Sequence, residues 1–479
     1  MQLKATIANT LWAASNLPAY GRFRRALREP ERAQKAKLRT YLEANTQSAF
    51  GKEHGFTDIR SYEEFARRVP LGDYESFEPW IARIRGGEGN VLTREAVTHL
   101  VPTSGSTAAR KLIPFTAGLQ REFDAAIGAW MVDLQRQAPG ILGGPAYWSI
   151  TPVLREAEVE ESSVPIGFDS DAAYLGGAKR WLAEAVIVRP PGARDVEQFR
   201  SETLRLLMRC RELRLISVWH PSFLTLLLEK VSEYPAELWP ELRVISCWGC
   251  GTVADLRRRF PNVLIQPKGL IATEAFVTLP FEGRYPLALN SHFFEFIDDR
   301  RRAHPAWELR DGEKYEVVVT TAGGLWRYRL GDRVRVNGAC SLEFLGRAGN
   351  VSDRFGEKLS EAFVAEVLGE MFQASPPRFA LLAPDEDGAG LRYTLYVEGE
   401  ARLGRAGELD RALRRNPHYA YCRDLGQLLP ARVFGIRNSG FEAFVSRQAE
   451  AGARLGDVKP LALSTAGGWS SIFPGDFVE

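Results

Sequence analysis

Helix and strand signals alternate without a break between Ser201 and Gln266, and that alternation confines the chain to an α/β fold built on parallel strands. Ser201 is placed to cap a helix carrying Leu204, Leu207 and Met208, Leu215 to Trp219 reads as a buried strand, and Pro221 opens the next helix. Leu242 to Cys247 follows as a strand, Val253 to Phe260 as a short helix and Val263 to Gln266 as a third strand. Strands separated by helices pair in parallel, because an antiparallel neighbour needs only a hairpin. Tyr315 to Thr320 and Arg333 to Val336 are predicted to be further strands, with Tyr328-Arg329-Leu330-Gly331-Asp332 in a turn between them. That turn falls near strand ends, where α/β folds bind ligands.

The flanks differ from this centre. Pro30 opens a helix in which Leu38, Tyr41 and Leu42 recur at helical spacing, so the first hundred residues read as a helical cap. Gly86 to Asn90 breaks that pattern, and Val97 to Val101 forms a strand that leads through Pro102 into a hydroxyl-rich turn. Beyond Gly346 the pattern changes again: a helix from Ser360, strands near Phe379 to Ala383 and Arg392 to Val397, a helix near Leu409, a strand at Val433 to Ile436 and a helix from Phe441. At 479 residues the chain exceeds what one core serves. The expected division is a large α/β domain over 1–345, with parallel and mixed sheets flanked by helices, and a small α+β domain over 346–479.

Composition excludes several classes. Lys and Arg number 62 against 60 Asp and Glu, a formal charge of +2, so there is no cationic field for nucleic acid or an anionic membrane. Met1 to Pro18 lacks the apolar run and cleavage site of a secretion signal, and no uncharged apolar run reaches the ~20 residues needed to span a bilayer. The five cysteines are odd in number and scattered, which fits a reducing, cytoplasmic setting. Cys247 and Cys250 form a C-x-x-C, but no second pair or histidine cluster completes a zinc site, and the pair reads as a strand end and its turn.

Three short segments carry chemistry. Thr103-Ser104-Gly105-Ser106-Thr107 combines hydroxyls, a permissive glycine and successive N–H groups that can surround phosphate oxygens, with Lys111 four residues on to offset charge. It is not the G-x-x-x-x-G-K-S/T pattern, and such a cluster alone is more often an ordinary polar turn. Thr273-Glu274 ends the apolar run Leu270-Ile271-Ala272. There Glu274 is suited to Mg²⁺, which prefers carboxylate, phosphate and water oxygens, or to capping a following helix. Asp332 offers one carboxylate to both hydroxyls of a ribose, or a partner to the arginine of its own turn.

In this order and spacing the three segments resemble the nucleotide motifs of the auxin-responsive (Gretchen Hagen) acyl-acid amido synthetases. That family is a branch of the adenylate-forming superfamily, with acyl-CoA ligases and luciferases. Phe50-Gly51-Lys52-Glu53-His54-Gly55-Phe56, Ser61-Tyr62-Glu63-Glu64-Phe65 and Lys111-Leu112-Ile113-Pro114 also read like its N-terminal half. The resemblance runs from about residue 40 to the C-terminal region, and Tyr-Arg-x-Gly-Asp is its most specific element. It implies that Thr103 to Thr107 bind phosphate, Thr273 meets the α-phosphate, Glu274 holds magnesium and Asp332 holds the ribose of ATP. Gly251 and Leu270 join the nucleotide site, Arg347 is the hinge arginine, Lys111 of the large domain offsets phosphate charge, and Lys358 and Lys459 are brought to the reacting phosphate by a mobile small domain. Two departures stand out: Ala108-Ala109 replaces a usual glycine, and Leu270 occupies the place of an adenine-stacking tyrosine.

The function so implied is activation of a small carboxylic acid by ATP, then acyl transfer to an amine or amino acid; the close alternative passes the acyl group to the thiol of coenzyme A. A nicotinamide enzyme is a rival from another class, because Gly249-Cys250-Gly251-Thr252-Val253-Ala254 fits G-x-G-x-x-A with Glu274 about 20 residues on. Against it, the strand after that helix ends near Gln266, so Glu274 is not at the strand end where ribose recognition needs it. There is no G-x-S-x-G, and the 6 histidines show no triad spacing. Trp219, Trp248 and Phe223 are candidates for an acyl pocket or for core packing.

Overall fold

The computed structural model describes residues 2–103, 111–148, 162–167, 177–188, 196–218, 221–228, 235–248, 253–338, 340–347, 351–399, 406–450, 458 and 460–478. The chain divides into two compact units, one of Met1–Gly249, Arg257–Leu330 and Arg335–Glu343, the other of Cys250–Leu256, Gly331–Val334 and Phe344–Glu479.

The first unit opens with helices Gln2–Arg28 and Pro30–Asn45, the latter starting at the expected proline and burying Leu38, Tyr41 and Leu42. Strands β1 (Val97–Pro102) and β2 (Leu112–Thr116) form an antiparallel pair with Pro102 opposite Leu112. The predicted α/β core follows. Strands β3 (Ala146–Trp148), β4 (Ile187–Val188), β5 (Leu215–Ser217), β6 (Val244–Cys247) and β7 (Leu264–Pro267) form one sheet in the order β4-β3-β5-β6-β7. Every pairing in it is parallel. β5 and β6 are buried throughout, which explains the consecutive apolar residues that lead to Ser217 and Ser246: a parallel sheet covered on both faces has no polar side to alternate with.

A second five-stranded sheet has the order β12-β11-β10-β8-β9, from β8 (Phe293–Ile297), β9 (Ala303–Pro305), β10 (Lys314–Thr320), β11 (Tyr328–Val336) and β12 (Leu342–Arg347). Here two expectations need correction. Tyr328 to Asp332 is not a turn but the first half of a nine-residue strand, because Gly331 takes φ 75° and absorbs the kink without ending the strand. Ser201 does not cap a helix either; it lies inside the helix Val196–Arg209, which buries Leu207 and leaves Met208 exposed.

The second unit contains the short antiparallel pair β13 (Val351–Ser352) and β14 (Leu359–Ser360), then a four-stranded sheet in the order β15-β16-β17-β18. Its strands are β15 (Phe379–Asp387), β16 (Gly390–Glu398), β17 (Arg432–Ile436) and β18 (Gly475–Val478). β15 and β16 make an antiparallel hairpin, β16 and β17 run parallel, and β18 returns antiparallel to β17. The period of two places Phe379, Leu381 and Ala383 in one apolar cluster with Phe434, Phe444 and Trp469. Leu382 falls in the other, with Leu395, Val433 and the helix residues Val364 and Val367. Ser360 caps the helix Glu361–Met371 by accepting the Phe363 N–H at 3.3 Å, as its sequence position predicts.

Candidate active site

The β1–β2 ladder continues one step past its strands: the Thr103 N–H donates to the Lys111 carbonyl at 2.9 Å. Thr103 and Lys111 are therefore the paired posts of residues 104–110. Ser104, Gly105, Ser106 and Thr107 themselves lie outside the described residues. Tyr74 braces one post, accepting the Leu112 N–H at 2.9 Å while its ring lies 5.5 Å from Lys111 Nζ. That cation–π contact steers the ammonium without neutralising it.

Thr273 and Glu274 occupy the tip of a second tight hairpin. The Ala272 N–H donates to Ala275 O at 2.9 Å, Val277 N–H to Leu270 O at 3.0 Å, and Leu270 N–H to Thr278 Oγ1 at 2.8 Å. Gly269 makes this turn possible: at φ 83°, a Cβ there would meet Thr278 Oγ1 at 2.8 Å and Thr278 O at 2.9 Å. No helix follows Glu274 directly, so it is not a helix cap. Glu274 is buried at 6% exposure, as is Leu270 at 8%.

A buried polar chain holds this hairpin from beneath. The Phe276 N–H donates to His292 Nε2 at 3.0 Å, and His292 Nδ1 lies 3.0 Å from Glu122 Oε2. Because Nε2 accepts, Nδ1 carries the proton and donates to the carboxylate. Glu122 also accepts the Ala322 N–H at 3.0 Å and the Tyr41 hydroxyl. Burial, then the neighbouring Glu122 charge, pushes the Tyr41 phenol well above its ordinary range, so it stays a donor.

The arginine of the Tyr328 to Asp332 motif turns to the neighbouring strand. Arg329 grips Glu316 with Nε to Oε1 at 2.8 Å and a second nitrogen to Oε2 at 2.9 Å. Just before it, Arg327 stands at φ 48° with its guanidinium on Glu295 at 2.8 to 3.1 Å and on the carbonyls of Ala66 and Val69 at 2.8 Å. Asp332 follows the Gly331 kink and is 1% exposed.

Among residues proposed to serve the phosphate, Lys358 is exposed and takes φ 44°. Glu357 beside it is fully buried, accepting the N–H groups of Arg354 at 2.8 Å and Phe355 at 2.7 Å and the Tyr393 hydroxyl at 2.5 Å. The loop is wound around one carboxylate, and that winding presents Lys358. Arg347 ends β12, whereas Gly251 and Lys459 lie outside the described residues. Of the aromatic candidates for an acyl pocket, Trp248 is half-buried after β6, Phe223 belongs to the helix Pro221–Leu228, and Trp219 lies outside the described residues. Glu122, His292 and Glu357 escaped sequence reasoning, since no local spacing marks residues whose partners are distant in the chain.

Residues 19–238 match the GH3 family N-terminal domain, 285–347 its central domain and 362–466 its C-terminal domain. The chain belongs to the GH3 family. It is similar to the probable indole-3-acetic acid-amido synthetase GH3.6 of Oryza sativa subsp. japonica, 27% identical over 48% of this chain and 56% of that protein. That alignment thus spans little more than half of the rice relative. The indole-3-acetic acid-amido synthetase GH3.3 of Arabidopsis thaliana is 21% identical over 76% of this chain and 74% of its own. In fold, this GH3 chain resembles the solved AtGH3.15 acyl acid amido synthetase in complex with 2,4-DB. That likeness has a TM-score of 0.78 at 16% identity, over 94% of this chain and 95% of that one. A 2-hydroxyisobutyryl-CoA ligase gives a TM-score of 0.53 at 13% identity, over 88% and 92%.

Proposed function

We propose that this protein is an ATP-dependent acyl-acid amido synthetase. A carboxylate oxygen of a small acid attacks the α-phosphorus of ATP, the bond to the bridging oxygen breaks and pyrophosphate leaves. An amine or amino acid then attacks the acyl carbon, the carbon–oxygen bond to AMP breaks, and the nitrogen loses its proton. The observation that carries this reading is the succession of all three GH3 domains in one chain, the same family as relatives named amido synthetases. Transfer to coenzyme A fits less well, since the fold is nearer the acyl acid amido synthetase than the CoA ligase.

In this reading Thr103 to Thr107 and Lys111 bind the outer phosphates, Gly251 and Leu270 the adenine side, Thr273 the α-phosphate and Asp332 the ribose. Lys358 and Lys459, with Arg347 as hinge, serve the reacting phosphate from a small domain over 346–479, the large domain spanning 1–345. The protein's work is to orient two anions and meet the charge that grows on the α-phosphate. Among the described residues no cluster of three or more His, Cys, Asp or Glu could hold a metal by itself. One buried carboxylate beside a hydroxyl is nonetheless a fitting donor set for Mg²⁺, which takes its remaining ligands from phosphate and water. Glu274 would hold it, and the ion would offset triphosphate charge. Among the described residues no helix is long and apolar enough to cross a membrane. Cys210, Cys340 and Cys422 carry free thiols, in keeping with the cytoplasm as the proposed location.

The test is acid-dependent exchange of labelled pyrophosphate into ATP, followed by mass analysis of products with amino acids or coenzyme A. Exchange with a subset of acids, then an amide, is expected. No exchange across a broad acid panel, with ATP bound normally, would sink the reading, and a thioester would move it to the ligase class.

A further inference from the structure

At the carboxyl edge of the parallel sheet a row of side chains breaks the apolar pattern. Trp148 is opposite Ser217, Ser217 opposite Ser246, and Ser246 opposite Gln266, across β3, β5, β6 and β7. Registered neighbours share a face, so the three polar residues line one side of the sheet, and Lys268, two positions past Gln266, joins them. All are inside: Ser217 is 8% exposed, Ser246 1%, Gln266 6% and Lys268 5%.

The row is framed rather than loose. Lys268 Nζ donates to Ser217 Oγ at 2.6 Å and lies 5.3 Å from the Trp130 ring, while Trp130 Nε1 donates to Gln266 Oε1 at 2.7 Å. Trp130 comes from the helix Ala117–Gln137, so three elements fix the ammonium. Among the described residues the Ser246 hydroxyl has no hydrogen-bond partner, although its oxygen is buried. A buried hydroxyl left this way carries a desolvation cost that a ligand oxygen or nitrogen would offset. Through the crowded Gly269, Lys268 leads straight into the hairpin bearing Thr273 and Glu274.

We propose that Lys268, with Ser217 and Ser246, forms a subsite for a substrate carboxylate at the carboxyl edge of the parallel sheet. This rests on the amido synthetase reading, which supplies two carboxylates: that of the acid to be activated and that of an amino-acid acceptor. Carboxyl edges of parallel strands are where α/β folds bind ligands. A lysine supplies a point charge with three donors, matched to a carboxylate and a neighbouring hydroxyl. Burial pulls the Lys268 ammonium down to about 8, so its surroundings offset only part of its desolvation, and an arriving anion restores the charged form.

The experiment uses full-length Lys268→Met and Ser246→Ala. Pyrophosphate exchange is run with benzoate and indole-3-acetate as acids, amide formation with aspartate and glutamate as acceptors, and Tm is recorded for each variant. Lys268→Met is expected to raise KM for one carboxylate substrate at least tenfold, leave KM for ATP within twofold, and keep or raise Tm. Ser246→Ala should raise the same KM severalfold. A change in acid KM assigns the subsite to the acid, and a change confined to amino-acid KM assigns it to the acceptor. Unchanged KM for both substrates in both variants, or a lowered Tm with unchanged KM, overturns the subsite while wild-type exchange upholds the amido synthetase. Wild-type protein giving no exchange across the broad acid panel, with ATP bound normally, overturns both. Should Lys268→Met fail to fold, Ser246→Ala decides alone.

Discussion

The imidazole of His292 lies 3.0 Å from the Glu122 carboxylate, both inside the core, and its far nitrogen holds the backbone N–H of Phe276 at 3.0 Å. One ring thus ties the helix Ala117–Gln137 to the hairpin that carries Glu274. His292→Phe keeps the ring's bulk but leaves a buried N–H and a carboxylate each one partner short. At about 1–3 kcal/mol per unsatisfied group, the two together should lower stability by roughly 2–6 kcal/mol. Urea unfolding with an unchanged m-value checks this.

Arg327 and Glu295 form a fully enclosed ion pair, with side chains 5% and 1% exposed. Removing one partner strands the other's charge, so Arg327→Met or Glu295→Gln should each cost about 3–5 kcal/mol. The double substitution should cost less than the sum, and a double-mutant cycle by urea unfolding measures the difference.

Lys268 gives a pH signature with a defined sign. Its ammonium titrates at about 8 in the folded chain against an ordinary 10.5, so between these values the unfolded chain binds more protons. Stability should therefore rise with pH across that window, the penalty being full below pH 8 and gone above the ordinary value. By the size of the shift, Lys268→Met should gain up to about 3 kcal/mol at neutral pH, and the gain should shrink toward pH 10. Unfolding free energies of both proteins at the two pH values decide it.

Asp332 is proposed to accept two hydroxyls of one ribose. Asp332→Ala should raise the Kd for ATP at least tenfold, in line with about 1.5–3 kcal/mol for a hydrogen bond to a charged group. Calorimetric titration that shows wild-type affinity would remove Asp332 from the nucleotide site.

Lys358 should act on the rate rather than on affinity. Lys358→Ala is expected to slow adenylation by at least tenfold with ATP affinity unchanged, the mark of an interaction made in the transition state. If single-turnover rates are unaltered, Lys459 takes that role.

Much of the frame could be read from the sequence because its signals are local. Pro30 and Pro221 open helices where expected, β5, β6 and β7 fall within a residue or two of their apolar runs, and Thr103 and Lys111 bracket the hydroxyl-rich segment. The strand through Tyr328 to Asp332 is not legible locally because Gly331 signals a turn, whereas here one residue of positive φ sits inside a strand that continues. The sequence offers Arg329 only the Asp332 of its own segment as a partner, because Glu316, which it grips, stands on another strand. Ser217, Ser246 and Lys268 look like surface residues one at a time. Only the parallel register, which no single segment encodes, puts them in one buried row.

The parallel pairing of β16 with β17 carries a kinetic consequence. Helices Ala406–Leu413 and Pro417–Asp424 lie between those strands in sequence, so neither can find the other by zipping from a tight bend. The hairpin of β15 and β16 needs no such search and is free to nucleate first. Closure of the long crossover is therefore expected to set the pace at which the second unit reaches its native state after dilution from denaturant, which stopped-flow refolding measures.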